Sequence, residues 1–301
     1  MTVLLTGAAG FVGRSVLAAL RRRPVQVVGL LHHRDAPVDR EVRADLGDPG
    51  SLAGCCDGVD VVVHVASKVD PDPAVCDQVN ARGSRALVQV ARAAGVARIV
   101  YVSSCAVYGA AEHRAAREDQ CRVAPVTPVS ASRAAAERHV LDAGGAVVRP
   151  LFVYGPGDER FLPAVIAGTR RLPVWIDGGR AEISVIDVAD LGRAIADLAF
   201  ADPAPTGVYH ATDTRPVQVR ALVQALHAAI GTPVPRGSMP WFVARRVARW
   251  LPALTGAVPA SAEHRLFLFA RDHSYDASRL WSAVGWRPEA GLLERLPGVV
   301  G

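Results

Sequence analysis

One short segment near the start of the chain restricts its fold more than any other. Gly7-Ala8-Ala9-Gly10-Phe11-Val12-Gly13 lies directly between an apolar run, Val3 to Leu5, and an amphipathic stretch that begins at Phe11. Glycine at those places permits a tight turn, lets backbone approach a pyrophosphate, and lets a helix pack closely on the strand before it. The free N–H groups and positive dipole end of that helix suit an anion. Gly7, Gly10, Phe11, Val12 and Gly13 are therefore candidate contacts of a dinucleotide.

The next 130 or so residues have the pattern of a parallel sheet. Apolar runs at 3–6, 25–31, 42–44, 60–66, 98–103 and 146–149 alternate with helical patterns at 11–23, 77–94 and 129–143. That alternation is the mark of βαβ units, and near-continuous Val, Ile and Leu is expected where both sheet faces are covered. The spacing predicts an α/β fold: a Rossmann, doubly wound parallel sheet with a smaller, mostly helical C-terminal lobe. We expect a dinucleotide-binding domain over 1–158, with strands at 182–186 and 208–211 returning to its sheet, and a substrate lobe over 159–301.

Composition excludes several classes. Half of the 301 residues are apolar, enough for a sizeable core, and the net charge of +5 is dispersed rather than clustered. Lys68 is the only lysine among 34 basic residues. No nucleic-acid partner is expected. The apolar stretch 239–258 is interrupted by Arg245, Arg246 and Arg249, so it predicts a lid helix over a pocket rather than a membrane span. No basic region precedes Val3, and the five cysteines lack CxxC spacing. These features predict a cytoplasmic protein with reduced thiols and no metal site.

The end of the second strand bears on which dinucleotide is held. An acidic residue there would hold a ribose 2′-hydroxyl; a basic one would hold a 2′-phosphate. Leu31 is followed by His32, His33 and Arg34, and Asp35 comes too late, so NADP(H) is the expected cofactor. Further on, Asp45 and Leu46 would turn against the adenine, and Val65, Ala66 and Ser67 would bring a strand up to the ribose. Lys68 either reaches the diphosphate or substrate, or is an ordinary exposed lysine.

Several motifs together then resemble one family. They are Asn80-Ala81-Arg82-Gly83, the run from Gly95 to Ser104, Val107-Tyr108-Gly109, Arg149-Pro150 with Val153-Tyr154-Gly155-Pro156-Gly157, Val185-Ile186-Asp187-Val188-Ala189-Asp190, and Gly285-Trp286-Arg287-Pro288. With the glycine turn they make the chain similar to the extended short-chain dehydrogenase/reductases, the sugar-nucleotide epimerase and dehydratase type. That resemblance implies cofactor contacts at Ser103, Pro150 and Val153, and a site of Ser/Thr, Tyr and Lys. Ser104 matches the hydroxyl. The segment from Pro125 to Glu137 places Val129 where the tyrosine belongs and Arg133 where the lysine belongs, and no Tyr-x-x-x-Lys exists anywhere in the chain.

Ser104 and Arg133 are thus the catalytic candidates, with Val129 in place of the tyrosine. Arginine can still bond a ribose but stays protonated and cannot shuttle a proton. Losing a positioned acid costs about 10²–10⁴ in rate rather than all catalysis. This departure resembles the Tyr-less angucyclinone ketoreductases. It implies NADPH-dependent reduction of a planar aromatic polyketide ketone, the proton coming from a neighbouring phenol on the substrate, from water, or from Ser104, Tyr108, Tyr154 or His113. The alternatives are a catalytically silent NADP(H)-binding protein and a sugar-nucleotide epimerase or dehydratase. Trp175, Trp241, Phe242, Trp250, Phe267 and Phe269 could sandwich an aromatic substrate or simply form core. A small molecule is the expected partner, and a monomer or homodimer the expected state.

Overall fold

The computed structural model describes residues 1–247 and 261–300. Its centre is a seven-stranded sheet, every pair parallel, built from β1 (Thr2–Thr6), β2 (Gln26–Leu31), β3 (Arg40–Arg43), β4 (Val61–His64), β5 (Arg98–Val102), β6 (Ala146–Pro150) and β7 (Gly207–Ala211). The spatial order is β7-β6-β5-β4-β1-β2-β3. The order reverses beside β1, which opens a crevice at the carboxyl ends of the strands. The expected Rossmann sheet is present.

Burial explains the strands' composition. Along β1, Val3 and Leu5 enter one core with Val16, Leu20, Ile195 and Leu280, while Leu4 enters the other with Val62, Leu87, Tyr101 and Val140. Successive side chains point to opposite faces, so a strand covered on both sides must be apolar throughout. Helix α1 (Phe11–Leu20) buries Gly13, Val16, Leu17 and Leu20, the spacing of one helical face. On the opposite face lie α2 (Gly83–Ala93) and α3 (Pro128–Asp142). Pro128 at the first position and the Thr127/Ser130 capping box fix where α3 starts.

The second half of the chain departs from the expected division. Residues 208–211 do return to the main sheet, as β7. Residues 182–186 do not. They break at Ser184: Glu182–Ile183 joins a four-stranded sheet with Val217–Gln218, His273–Tyr275 and His113–Ala116, and Val185–Asp187 pairs with Phe152–Tyr154. The break leaves Ser184 Oγ to accept the Tyr275 N–H at 3.0 Å. Helices α5 (Val188–Ala199) and Ser278–Val284 cover the main sheet, because their apolar faces complete the core around Val3 and Leu5. The smaller core gathers Tyr154, Phe161, Trp175, Ile183, Leu222 and Leu226, from α4 (Phe161–Arg171), α6 (Val219–Ala229) and the short strands. All five cysteines are buried free thiols. The lid helix expected over 239–258 falls largely outside the described residues, as does Trp250.

Candidate active site

The site grows from the turn after β1. Gly7 has φ +71°, and a Cβ there would stand 2.7 Å from Ala66 N. A Cβ on Gly13 would stand 1.9 Å from Gly7 O, so α1 approaches the turn more closely than any side chain allows. Gly10 caps α1 without a side-chain hydrogen bond, and no acidic residue lies in the first turn. Backbone N–H groups are thus left for an anion. A dinucleotide's pyrophosphate fits this cradle.

The loop after β4 is held by Thr6, His64 and Asn80, of which only Asn80 lies in a motif quoted from the sequence. The Val65 and Ala66 N–H groups donate to Thr6 Oγ1 at 3.2 and 3.1 Å. Thr6 in turn donates to His64 Nδ1 at 2.7 Å, and His64 Nε2 donates to Ser84 at 2.8 Å. Burial pushes His64 down to about 4, so it is a neutral link in this chain. Asn80 is the second clamp. Its Oδ1 accepts the Lys68 N–H at 2.7 Å, and its Nδ2 donates to Lys68 O and to Ser132 Oγ, both at 2.9 Å. Ser132 bonds Val129 O at 3.0 Å, so the loop and α3 are fixed to each other. Lys68 itself is exposed, 3.9 Å from Asp70.

Val129 and Arg133 sit one turn apart on α3 and share a face. Arg133 Nε donates to Ser67 Oγ at 3.1 Å. Burial lowers the Arg133 pKa, with the Tyr101 phenol acting in the opposite direction. Ser104 caps the short helix Cys105–Tyr108 by accepting the Ala106 N–H at 3.1 Å. That contact fills an acceptor site of the hydroxyl and leaves its proton for another acceptor. Ser103 Oγ is buried without a hydrogen-bond partner among the described residues. Pro150 ends β6 and Val153 lies in the strand just after it.

His32, His33 and Arg34 are all exposed at the end of β2. Asp45 closes its own turn by accepting the Gly47 N–H at 2.7 Å, while its other oxygen lies 3.6 Å from His32 Nε2. Leu46 is buried. Asp35 is bonded to Arg43, a cation on β3 that the motifs do not reveal. The positions chosen from sequence thus line the carboxyl edge of β1 to β6.

Two expected proton donors are removed by the structure. Arg149 donates to both oxygens of Glu137 and, at 2.8 Å, to the Tyr108 oxygen; Tyr108 therefore donates to His210 Nε2 at 2.6 Å. His210 is pushed down to about 4 by burial and stays neutral. His113 is buried and packs on Tyr108 and Tyr275. Tyr154 is fully buried and donates to Asp213 at 3.0 Å. Burial raises both phenols far above their ordinary value. Neither is free to serve a substrate.

Asp213 carries a consequence for stability. Burial pushes its carboxyl up to about 7, with Tyr154's hydrogen bond only partly opposing this. From about pH 4 to 7 the folded protein keeps a proton that an unfolded chain has released, so stability from this group falls as pH rises through that window. The Asp213→Asn variant is expected to stabilise the fold more at pH 8 than at pH 5, by up to about 3 kcal/mol in denaturant titrations. A larger gain at pH 5 would refute the assignment.

Comparison with known proteins decides the family. Residues 3–209 match the model of the NAD dependent epimerase/dehydratase family. The chain belongs to that family. This epimerase/dehydratase-family protein is 32% identical to a 4-hydroxy-2-methyl-3-oxo-4-farnesyl-3,4-dihydroquinoline-1-oxide ketoreductase of Stigmatella aurantiaca, over 95% of this chain and 92% of that one. It is 31% identical to a 2-alkyl-3-oxoalkanoate reductase of Stenotrophomonas maltophilia, over 77% of each chain. Among solved structures it superimposes on MoeE5 in complex with UDP-glucose and NAD, with a TM-score of 0.76 and 25% identity over 100% of this chain and 97% of that one.

Proposed function

We propose that this family member is a cytoplasmic NADPH-dependent ketoreductase that reduces a planar aromatic polyketide ketone of the angucyclinone kind in antibiotic biosynthesis. The observation that carries the reading is the face of α3, where Val129 and Arg133 stand one turn apart beside the Ser67 loop. An apolar side chain there admits a flat apolar substrate, and the guanidinium holds a fixed cation beside it. The relatives named as a quinoline ketoreductase and an oxoalkanoate reductase support reduction of a ketone.

When bound, the dinucleotide supplies a hydride from its nicotinamide. The cradle at Gly7 and Gly13 would hold the pyrophosphate, with Phe11 and Val12 beside it. His32, His33 and Arg34 would meet a 2′-phosphate, since Arg34 has no ion pair among the described residues and the nearest acid, Asp35, is engaged by Arg43. Asp45, Leu46, Val65, Ala66, Ser67, Ser103, Pro150 and Val153 would line the remainder. Arg133 orients the ribose through its free guanidinium nitrogens. Ser104 polarises the ketone by donating its free proton. With Tyr108 and Tyr154 buried in other hydrogen bonds, the proton that completes the alcohol comes from a phenol adjacent to the ketone or from water.

The test is NADPH oxidation with aromatic ketones that do and do not carry a phenol beside the carbonyl. Turnover at least roughly tenfold faster for the phenolic ketones is expected, and Ser104→Ala should slow it without abolishing it. Arg34→Ala should raise KM for NADPH about tenfold and leave NADH unchanged. Tight NADPH binding without oxidation of any ketone would refute the reductase reading in favour of a silent cofactor-binding protein.

A further inference from the structure

Arg14 follows the third glycine of the cradle directly and is the fourth residue of α1. Its side chain turns back past the start of the helix, where Nη1 donates to Ala9 O at 3.2 Å. Ala9 lies inside the Gly7–Gly13 turn, so the guanidinium stands beside the cradle itself. Nη2 lies next to Gly157: a Cβ built there would be 3.4 Å from it and 3.9 Å from Phe11 Cδ2. Gly157 has φ +87° and no side chain to cover the arginine.

The charge is out of place for the helix alone. A cation stabilises the C-terminal end of a helix, and at the N-terminal end it adds to an existing positive pole. No acidic residue lies in the first turn of α1, and Arg14 makes no ion pair among the described residues. The neighbouring acid on the Gly157 loop is spent elsewhere. Asp158 Oδ1 accepts the N–H groups of Arg160 and Phe161, and its Oδ2 accepts that of Leu162, all at 2.8 Å. A guanidinium, a helix pole and uncapped N–H groups thus meet at one place with no negative charge among them. That concentration suits a ligand carrying more than one negative charge.

We infer that Arg14 is a further cofactor-binding residue, whose guanidinium pairs with the pyrophosphate of the dinucleotide while Nη1 keeps its bond to Ala9 O. The inference rests on the dinucleotide part of the proposed function and adds a side-chain charge to a cradle otherwise made of backbone. A pyrophosphate is common to NADH and NADPH, so this contact does not distinguish them. Arg34, meeting a 2′-phosphate, would.

The test is calorimetric titration of the full chain with NADPH, NADH and adenosine 2′-phosphate, which has no pyrophosphate. Arg14 is exposed, so its substitution leaves the core intact. Arg14→Gln keeps an N–H donor for Ala9 O and removes the charge. It should raise Kd for NADPH and NADH alike, by about tenfold or more, and change adenosine 2′-phosphate little. Arg14→Lys should recover most of the loss. In about 1 M salt, where the screening length is about 3 Å, the gap between parent and Arg14→Gln should narrow. Unchanged dinucleotide affinity in Arg14→Gln overturns the inference and leaves the cofactor reading intact. An equal loss for adenosine 2′-phosphate, or no recovery in Arg14→Lys, also overturns it, since the arginine then only shapes its own turn. A parent that binds neither dinucleotide overturns the cofactor reading and this inference with it. Failure to reduce any ketone touches neither, because the readout is binding.

Discussion

Replacing Gly13 by valine is expected to abolish NADPH binding, raising Kd by roughly a hundredfold or more in a fluorescence titration. The Cβ would stand 1.9 Å from Gly7 O and 2.6 Å from Gly7 C, and both are backbone atoms of the cradle itself. No rotamer relieves a clash with backbone, so α1 must withdraw from β1 and the N–H groups lose their aim. Gly10→Ala is the graded control: its Cβ would meet Gly7 O at 3.2 Å, a contact that a small shift removes. The expected result is a loss of about tenfold or less for Gly10→Ala beside the near-complete loss for Gly13→Val. Equal effects would show that the turn is merely rigid and that close approach is not what the third glycine provides.

The largest effect on stability is expected from Arg149→Met. Arg149 and Glu137 are 4% and 2% exposed, and Arg149 Nε lies 2.8 Å from Glu137 Oε1. Methionine keeps the apolar stem but leaves a buried carboxylate without its partner and Tyr108 without its donor. Breaking a buried pair from one side costs about 3–5 kcal/mol. The melting temperature should fall by roughly 6–20 °C, at about 2–4 °C per kcal/mol in a chain approaching this size. The double variant Arg149→Met/Glu137→Leu should recover most of the loss, because replacing both charges removes the unpaired carboxylate. A double variant as unstable as the sum of the two single ones would show that the pair acts through packing alone. Cofactor affinity should change little in either, since the side chains of Arg149, Glu137 and Tyr108 are buried and bonded to one another and to His210 rather than to a candidate cofactor contact.

The order of elements in the first half of the chain, and the Gly7–Gly13 cradle, were readable from residues alone. Both depend on local signals: a strand buried on two faces must be apolar throughout, and a turn that needs positive φ or backbone contact must use glycine. The positions of Val129 and Arg133 were equally readable, because helical spacing fixes which residues share a face. Long-range pairing was not readable. Nothing in Glu182–Asp187 states that the strand breaks at Ser184 to serve two sheets, since either pairing satisfies an alternating apolar pattern.

The same limit governed the proton donors. Tyr108 and Tyr154 are chemically competent phenols in the sequence, and only the arrival of Arg149, His210 and Asp213 from distant segments engages them. The Thr6 and His64 clamps, and the bonds that Asn80 makes to Lys68 and Ser132, were hidden for the same reason. Each joins residues that are far apart in the chain, and their contact energies exist only once the sheet has brought them together. By itself the sequence determined the parallel sheet, the glycine cradle and the face of α3. The tertiary structure decided which polar groups remain free at the crevice, because hydrogen-bond partners are a property of packing and not of composition.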